Sequence, residues 1–142
     1  MTQVQIKVAH ENSVDILAVI KRSPVYDNAN AVAILNNWWL ASDKVWAGMV
    51  DGEIACLWGL APPTFLSENA YLWLLTTDLV EEHKFLFIRY SQRYVEEMLK
   101  VYPRIVGHVE TTNTQAIRWI RWLGAKIGEP ENGFRPFTIR RR

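Results

Sequence analysis

The stretch Tyr71-Leu-Trp-Leu-Leu-Thr-Thr77 decides the fold, together with three segments C-terminal to it: a helical pattern over Glu81–Tyr102, a strand over Arg104–Glu110 and a shorter helix over Asn113–Leu123. Strand, helix, strand and helix in close succession predict a right-handed crossover joining two parallel strands. YLWLLTT is apolar at every position up to its two threonines, so it reads as a central strand covered on each side. A ligand would sit at its carboxyl end, near Thr76, Thr77 and Asp78, where the next helix aims its amino terminus.

In the long helix Phe85, Ile88, Val95, Leu99 and Tyr102 form the apolar stripe, and Arg89, Arg93, Glu96, Glu97 and Lys100 point outward. Pro103 ends it. In the shorter helix Ala116, Ile117, Ile120 and Leu123 face inward, and Gly124 suits the left-handed position that closes a helix. Phe137 and Ile139 then alternate with Thr138 and Arg140, which predicts an edge strand that tolerates Pro136.

Toward the amino terminus, Val4, Ile6 and Val8 alternate with polar residues as in a half-exposed strand. Asn12 caps a helix carrying Val14, Leu17 and Ile20, which Ser23-Pro24 ends. A short helix is read over Asp27–Trp39, with Ala29, Val32, Ala33 and Asn36 on one stripe. Lys44–Val50 and Glu53–Leu60 flank Asp51-Gly52, the strongest short signal for a hairpin, because a type I′ turn needs positive φ at both central residues.

The chain has 142 residues, 49% hydrophobic and 22% charged, which predicts a single globular domain over residues 1–142. A net charge of +1 argues against general electrostatic attraction to nucleic acid or to an anionic membrane. Cys56 stands alone in an apolar strand and reads as a buried side chain in a reducing, cytoplasmic compartment. No apolar run reaches the length of a membrane span. His83 and His108 lack a third ligand at a recognised spacing, so no metal is expected, and His10 reads as exposed.

Strand, helix, helix, hairpin, strand, long helix, strand, short helix, strand, with Asn113, Ala116 and Gly124 set 3 and 11 residues apart, resembles the GNAT superfamily of acyl-CoA-dependent N-acetyltransferases. The segment LLTTDLV and the basic-aromatic helix after it are similar to GNAT-like and internal virion proteins of short-tailed bacteriophages. The resemblance implies an α/β (α+β) fold: a mixed, mostly antiparallel twisted sheet with a central parallel strand pair and helices on both faces. It also implies acetyl transfer from acetyl-CoA to a small-molecule or protein amine, in a host bacterial cytoplasm. The alternative is a non-catalytic phage protein that acts in virion assembly or binds a phage or host protein.

On that reading backbone amides of Leu75, Thr76 and Thr77 hold the acetyl carbonyl, while His83, Lys84 and Asn113 lie toward the coenzyme. Asp78, if partial burial raised its pKa, or Glu110 would be the general base. Local roles compete at each place: Asp78 or Asn113 as helix caps, and Glu110 as a solvated strand end. Trp38 and Trp39 read as a substrate wall, a homodimer contact or core. Arg140-Arg141-Arg142 reads as a frayed basic tail, with contact to nucleic acid or an acidic partner as the alternative.

The chain departs from the family in two places. The family's Q/R-x-x-G-x-G/A turn lets phosphate oxygens reach backbone amides, yet Glu81–Phe87 holds no glycine and sets Glu81 and Glu82 where the long helix is expected to start. Ile120 occupies the place of the family's frequent acid tyrosine, and Ala125 that of the aromatic after the late glycine.

Overall fold

A computed structural model describes residues 3–9, 19, 31–64 and 66–141. The order is β1 (Val4–Val8), α1 (Ala31–Ala41), β2 (Lys44–Val50), β3 (Glu53–Ala61), β4 (Asn69–Thr76), α2 (Asp78–Glu82), α3 (Lys84–Val101), β5 (Arg104–Glu110), α4 (Thr114–Trp122), β6 (Lys126–Ile127) and β7 (Phe134–Arg140). The helix expected over Asn12–Ile20, apart from Val19, lies outside the described residues, as do His10, Asn28 through Asn30 and Arg142.

The strands form one seven-stranded mixed sheet, mostly antiparallel, in the order β1-β2-β3-β4-β5-β7-β6. Its one parallel pairing sets Asn69–Tyr71 of β4 against Arg104–Val106 of β5, as the crossover pattern requires. The chain divides into two compact units: Met1–Ala61 with Trp73–Leu86, and Pro62–Leu72 with Phe87–Arg142.

In the first unit the hairpin forms as its turn residues dictate, with Asp51 at φ 50° and Gly52 at φ 84°. Its strands pair from Lys44 opposite Leu60 to Val50 opposite Glu53, with a bulge at Gly48/Met49. Ala55, Leu57 and Leu60 are fully buried here. Trp39 is core, as one of the readings for the pair held, and the Trp38 ring tilts against Trp73 at 5.9 Å. The apolar stripe of α1 runs through Leu35 and Trp39, one turn apart, with Asn36 only half-buried.

In the second unit Ile105, Gly107 and Val109 of β5 and Phe137 and Ile139 of β7 form a buried face. Phe87, Val95 and Met98 of α3 and Ile117 of α4 bury the helices' apolar sides, and Trp119 Nε1 donates to Ser91 Oγ at 2.9 Å to tie the two helices together.

Several expectations are corrected. The long helix is two helices, because the His83 N–H turns back to the Leu79 and Val80 carbonyls and closes α2 before α3 begins at Lys84. Phe85 consequently stands 78% exposed, and Phe87 takes the buried place with Val95 and Met98. β4 is covered on one face only toward its end, since Trp73 and Leu75 are buried while Leu74 is 42% exposed. β7 is not an edge strand; β5 and β6 flank it, and the two-residue β6 is the edge. Pro136 is tolerated because a strand residue's nitrogen and carbonyl face the same side. The Pro136 carbonyl accepts from Gly128 N–H at 2.8 Å just past the end of β6, so the missing donor is not taken from the β5 ladder. Arg141 is not frayed: its Nε and Nη2 donate to the carbonyls of Leu99 and Lys100, each at 2.7 Å, and close the last turn of α3.

Candidate functional site

The first unit carries the strand end after β4. Thr77 is 1% exposed and holds this corner. Its Oγ1 donates to the Ala55 carbonyl at 2.8 Å and accepts from Leu79 N–H at 3.4 Å, while its own N–H donates to the same Ala55 carbonyl at 2.8 Å. One side chain therefore caps α2 and ties it to β3, and Asp78 is the first residue of that helix rather than its cap.

This arrangement sorts the three amides expected to hold an acyl carbonyl. Successive N–H groups along a strand point to opposite edges, so Thr77 N–H, committed to Ala55, puts Leu75 N–H on the β3 side as well. Thr76 N–H points to the other edge and is the donor that remains for a ligand. Leu75 is 2% exposed and Thr76 half-exposed. Asp78 is exposed rather than partly buried.

His83, half-buried, is the residue on which α2 ends and after which α3 starts. Lys84, also half-buried, sets its Nζ 5.7 Å from the centroid of the Phe85 ring. The first turn of α3 holds no acidic residue, because Glu81 and Glu82 belong to α2 instead of opening the long helix. The amides that a glycine-rich turn would present are partly engaged, with Leu86 N–H donating to the His83 carbonyl at 3.0 Å in addition to the His83 bonds. A phosphate oxygen placed there would find a helix without acidic residues in its first turn but a short supply of free donors.

The second unit carries the strand end after β5. Glu110 is the half-buried last residue of the strand, opposite Phe134, and its carbonyl accepts from Asn113 N–H at 3.0 Å. Asn113 is exposed and caps α4, its side chain accepting from Ala116 N–H at 3.1 Å. Gly124 comes just after that helix at φ 97°. The motif Asn113–Gly124 is thus accounted for by helix geometry.

The same unit holds a contact that single-residue reading missed, Tyr71 Oη against His108 Nδ1 at 3.1 Å, with ring centroids 5.7 Å apart. Burial raises the Tyr71 phenol above its ordinary range, so it stays protonated at neutral pH. The register of Tyr71 against Val106, two residues before His108, is the signal that could have found it.

Cys56 is buried, and burial pushes its thiol up to about 12, which leaves no nucleophile at neutral pH. Among the described residues no group of His, Cys, Asp and Glu is placed to hold a metal, and no helix is long and apolar enough to cross a membrane.

Sequence comparison finds no matching protein family and no matching curated protein. Solved structures do match. A Bacillus subtilis acetyltransferase in complex with CoA superposes at a TM-score of 0.72 with 9% identity, over 99% of this chain and 100% of that one. The Escherichia coli ribosomal-protein-S18-alanine N-acetyltransferase gives 0.71 and 13%, over 96% of this chain and 91% of that one. An acetyltransferase of the GNAT family from Streptococcus pneumoniae gives 0.66 and 15%, over 98% and 100%. Agreement over nearly the whole chain at such low identity establishes a shared fold, and that fold is the one of the GNAT acetyltransferases.

Proposed function

We propose that the chain binds acetyl-CoA and transfers its acetyl group to an amine. The observation that carries this reading is the Thr76 N–H at the end of β4, directed away from β3 and succeeded at once by a helix. In the reaction Thr76 N–H donates to the thioester carbonyl and stabilises the oxyanion as the amine adds. Collapse of the adduct re-forms the carbonyl and breaks the C–S bond, and the departing thiolate takes the proton that the amide nitrogen gives up, leaving as the free thiol. A carboxylate first takes a proton from the ammonium, because only the neutral amine has the lone pair to attack. Asp78, in the same unit as Thr76, and Glu110, at the end of β5 in the second unit, are the two candidate bases. Lys84, with the first turn of α3 and His83, faces the diphosphate; Leu75 and Thr77 shape the strand end, and Asn113 contributes by fixing the start of α4.

Release of free coenzyme A thiol in the presence of a panel of amines tests this. Removing the carboxylate that serves as base, by Asp78→Asn or by Glu110→Gln, is expected to lower turnover by about 10²–10⁴-fold while acetyl-CoA binding persists. Equal turnover in wild type and both variants would remove the carboxylates from the mechanism.

A second reading is favoured by the engaged His83 and Leu86 amides and the glycine-free turn. In it the fold serves as a non-catalytic phage protein of virion assembly, or one that binds a host protein in the bacterial cytoplasm. Stable association with such a protein, without coenzyme binding, would favour it.

A further inference from the structure

The net charge of +1 conceals an imbalance. The second unit carries eleven Lys and Arg against six Asp and Glu, the first five against nine, which together make the chain's 16 and 15. Within the second unit the sheet has one buried face and one open face. On the open face none of the described residues of β5, β6 and β7 is buried.

The open face is ordered in rows by the strand register. Arg104 stands directly opposite Arg140, and both are exposed. Like charges opposite each other across a strand pair repel, and among the described residues neither guanidinium has an ion-pair partner. In the next row Tyr71 and Val106 lead through Thr138 to exposed Lys126. His108 comes next, beside the Tyr71 ring, and Phe134, 44% exposed, closes the far end. Glu110 is the one carboxylate among the described residues of these strands on this face, six residues along β5 from Arg104, which is about 20 Å.

We propose that this face binds single-stranded nucleic acid, with Arg104, Arg140 and Lys126 on phosphates and Tyr71, His108 and Phe134 as stacking surfaces for bases. An uncompensated cross-strand arginine pair calls for an anion, and aromatic rings interleaved with it call for planar, apolar groups on the same ligand. A polynucleotide offers both at short repeat, whereas an acidic polypeptide offers only the first. The surface lies wholly within the second unit and does not depend on acyl transfer.

Fluorescence anisotropy with labelled 12-residue oligo(U) and oligo(dT) tests it, at several salt concentrations. Three phosphate contacts predict a slope of log K against log salt of about −2, falling to about −0.7 in Arg104→Gln/Arg140→Gln. That double variant should weaken binding at least tenfold at low salt. Phe134→Ala should weaken it about tenfold with the slope unchanged. Arg118→Gln/Arg121→Gln, exposed on α4, should leave affinity within twofold. All substituted side chains are exposed, and circular dichroism verifies the fold. Tighter binding of oligo(U) than of oligo(dT), or the reverse, names the sugar the face prefers and supports the proposal equally. No binding of either oligomer at low salt overturns it. So does equal loss in the Arg118/Arg121 variant, which would mean diffuse charge, or equal affinity for oligoglutamate, which would mean an acidic polypeptide.

Discussion

Two strand-to-helix joints, one in each unit, use the same cap chemistry in opposite settings. After β4, Thr77 is 1% exposed and its hydroxyl serves both the helix and the Ala55 carbonyl of β3. After β5, Asn113 is exposed and its side chain serves only its own helix, at Ala116 N–H. The first joint is a tertiary anchor and the second a local one. Removing the buried hydroxyl strands the Leu79 N–H and takes one of two donors from the Ala55 carbonyl, while an exposed cap leaves its amide to water.

The largest effect is therefore expected from Thr77→Val, which keeps the shape and removes the hydroxyl. It should cost about 2–3 kcal/mol in chemical denaturation, with Thr77→Ser recovering most of that. Equal stability of the Val and wild-type proteins would break the distinction between the joints. Asn113→Ala should cost about 1 kcal/mol, and Asn113→Gly only a few tenths.

Cys56 reports on the first joint because it lies next to Ala55, the acceptor of the Thr77 anchor. In the wild type a thiol reagent at pH 8 should label it only through opening of the structure. Thr77→Val should speed that labelling and Asn113→Ala leave it nearly unchanged. The thiol also sets a sign for pH. Its folded-state pKa, raised to about 12 by burial, exceeds that of the unfolded chain. The protonated thiol's contribution is thus complete below about 9 and is lost as pH rises toward 12. Stability should fall over that alkaline window, and less so in Cys56→Ala.

The same contrast explains what the sequence made legible. Asn113, Gly124, Asp51-Gly52 and the bounds of β2 and β5 were readable because each is decided by neighbours a few residues away. The parallel pairing of β4 with β5 was legible in the length of the helical crossover. The break at His83 was not readable, since no glycine or proline stands there and the bonds from His83 N–H to the Leu79 and Val80 carbonyls that close α2 leave no mark in the residue pattern. For the same reason the sequence pattern sets Phe85 on the wrong face: an unbroken helix from Glu81 has a different phase from one that starts again at Lys84. The exposed face of β5 and β7 escaped notice because alternation within one strand tells two faces apart without telling which is covered. At the candidate site the residues were legible and their division of labour was not. Only the Thr77 N–H bond to Ala55 singles out Thr76 among the three amides.

Acyl transfer by this chain requires that the end of β4 and the start of α3 accept an acyl coenzyme despite a glycine-free turn. Isothermal calorimetry with acetyl-CoA tests it most directly. Saturable one-to-one binding in the micromolar range is expected, weakened by Lys84→Glu, which sets a carboxylate in the first turn of α3. Absence of heat up to millimolar acetyl-CoA, with the protein folded, would contradict it.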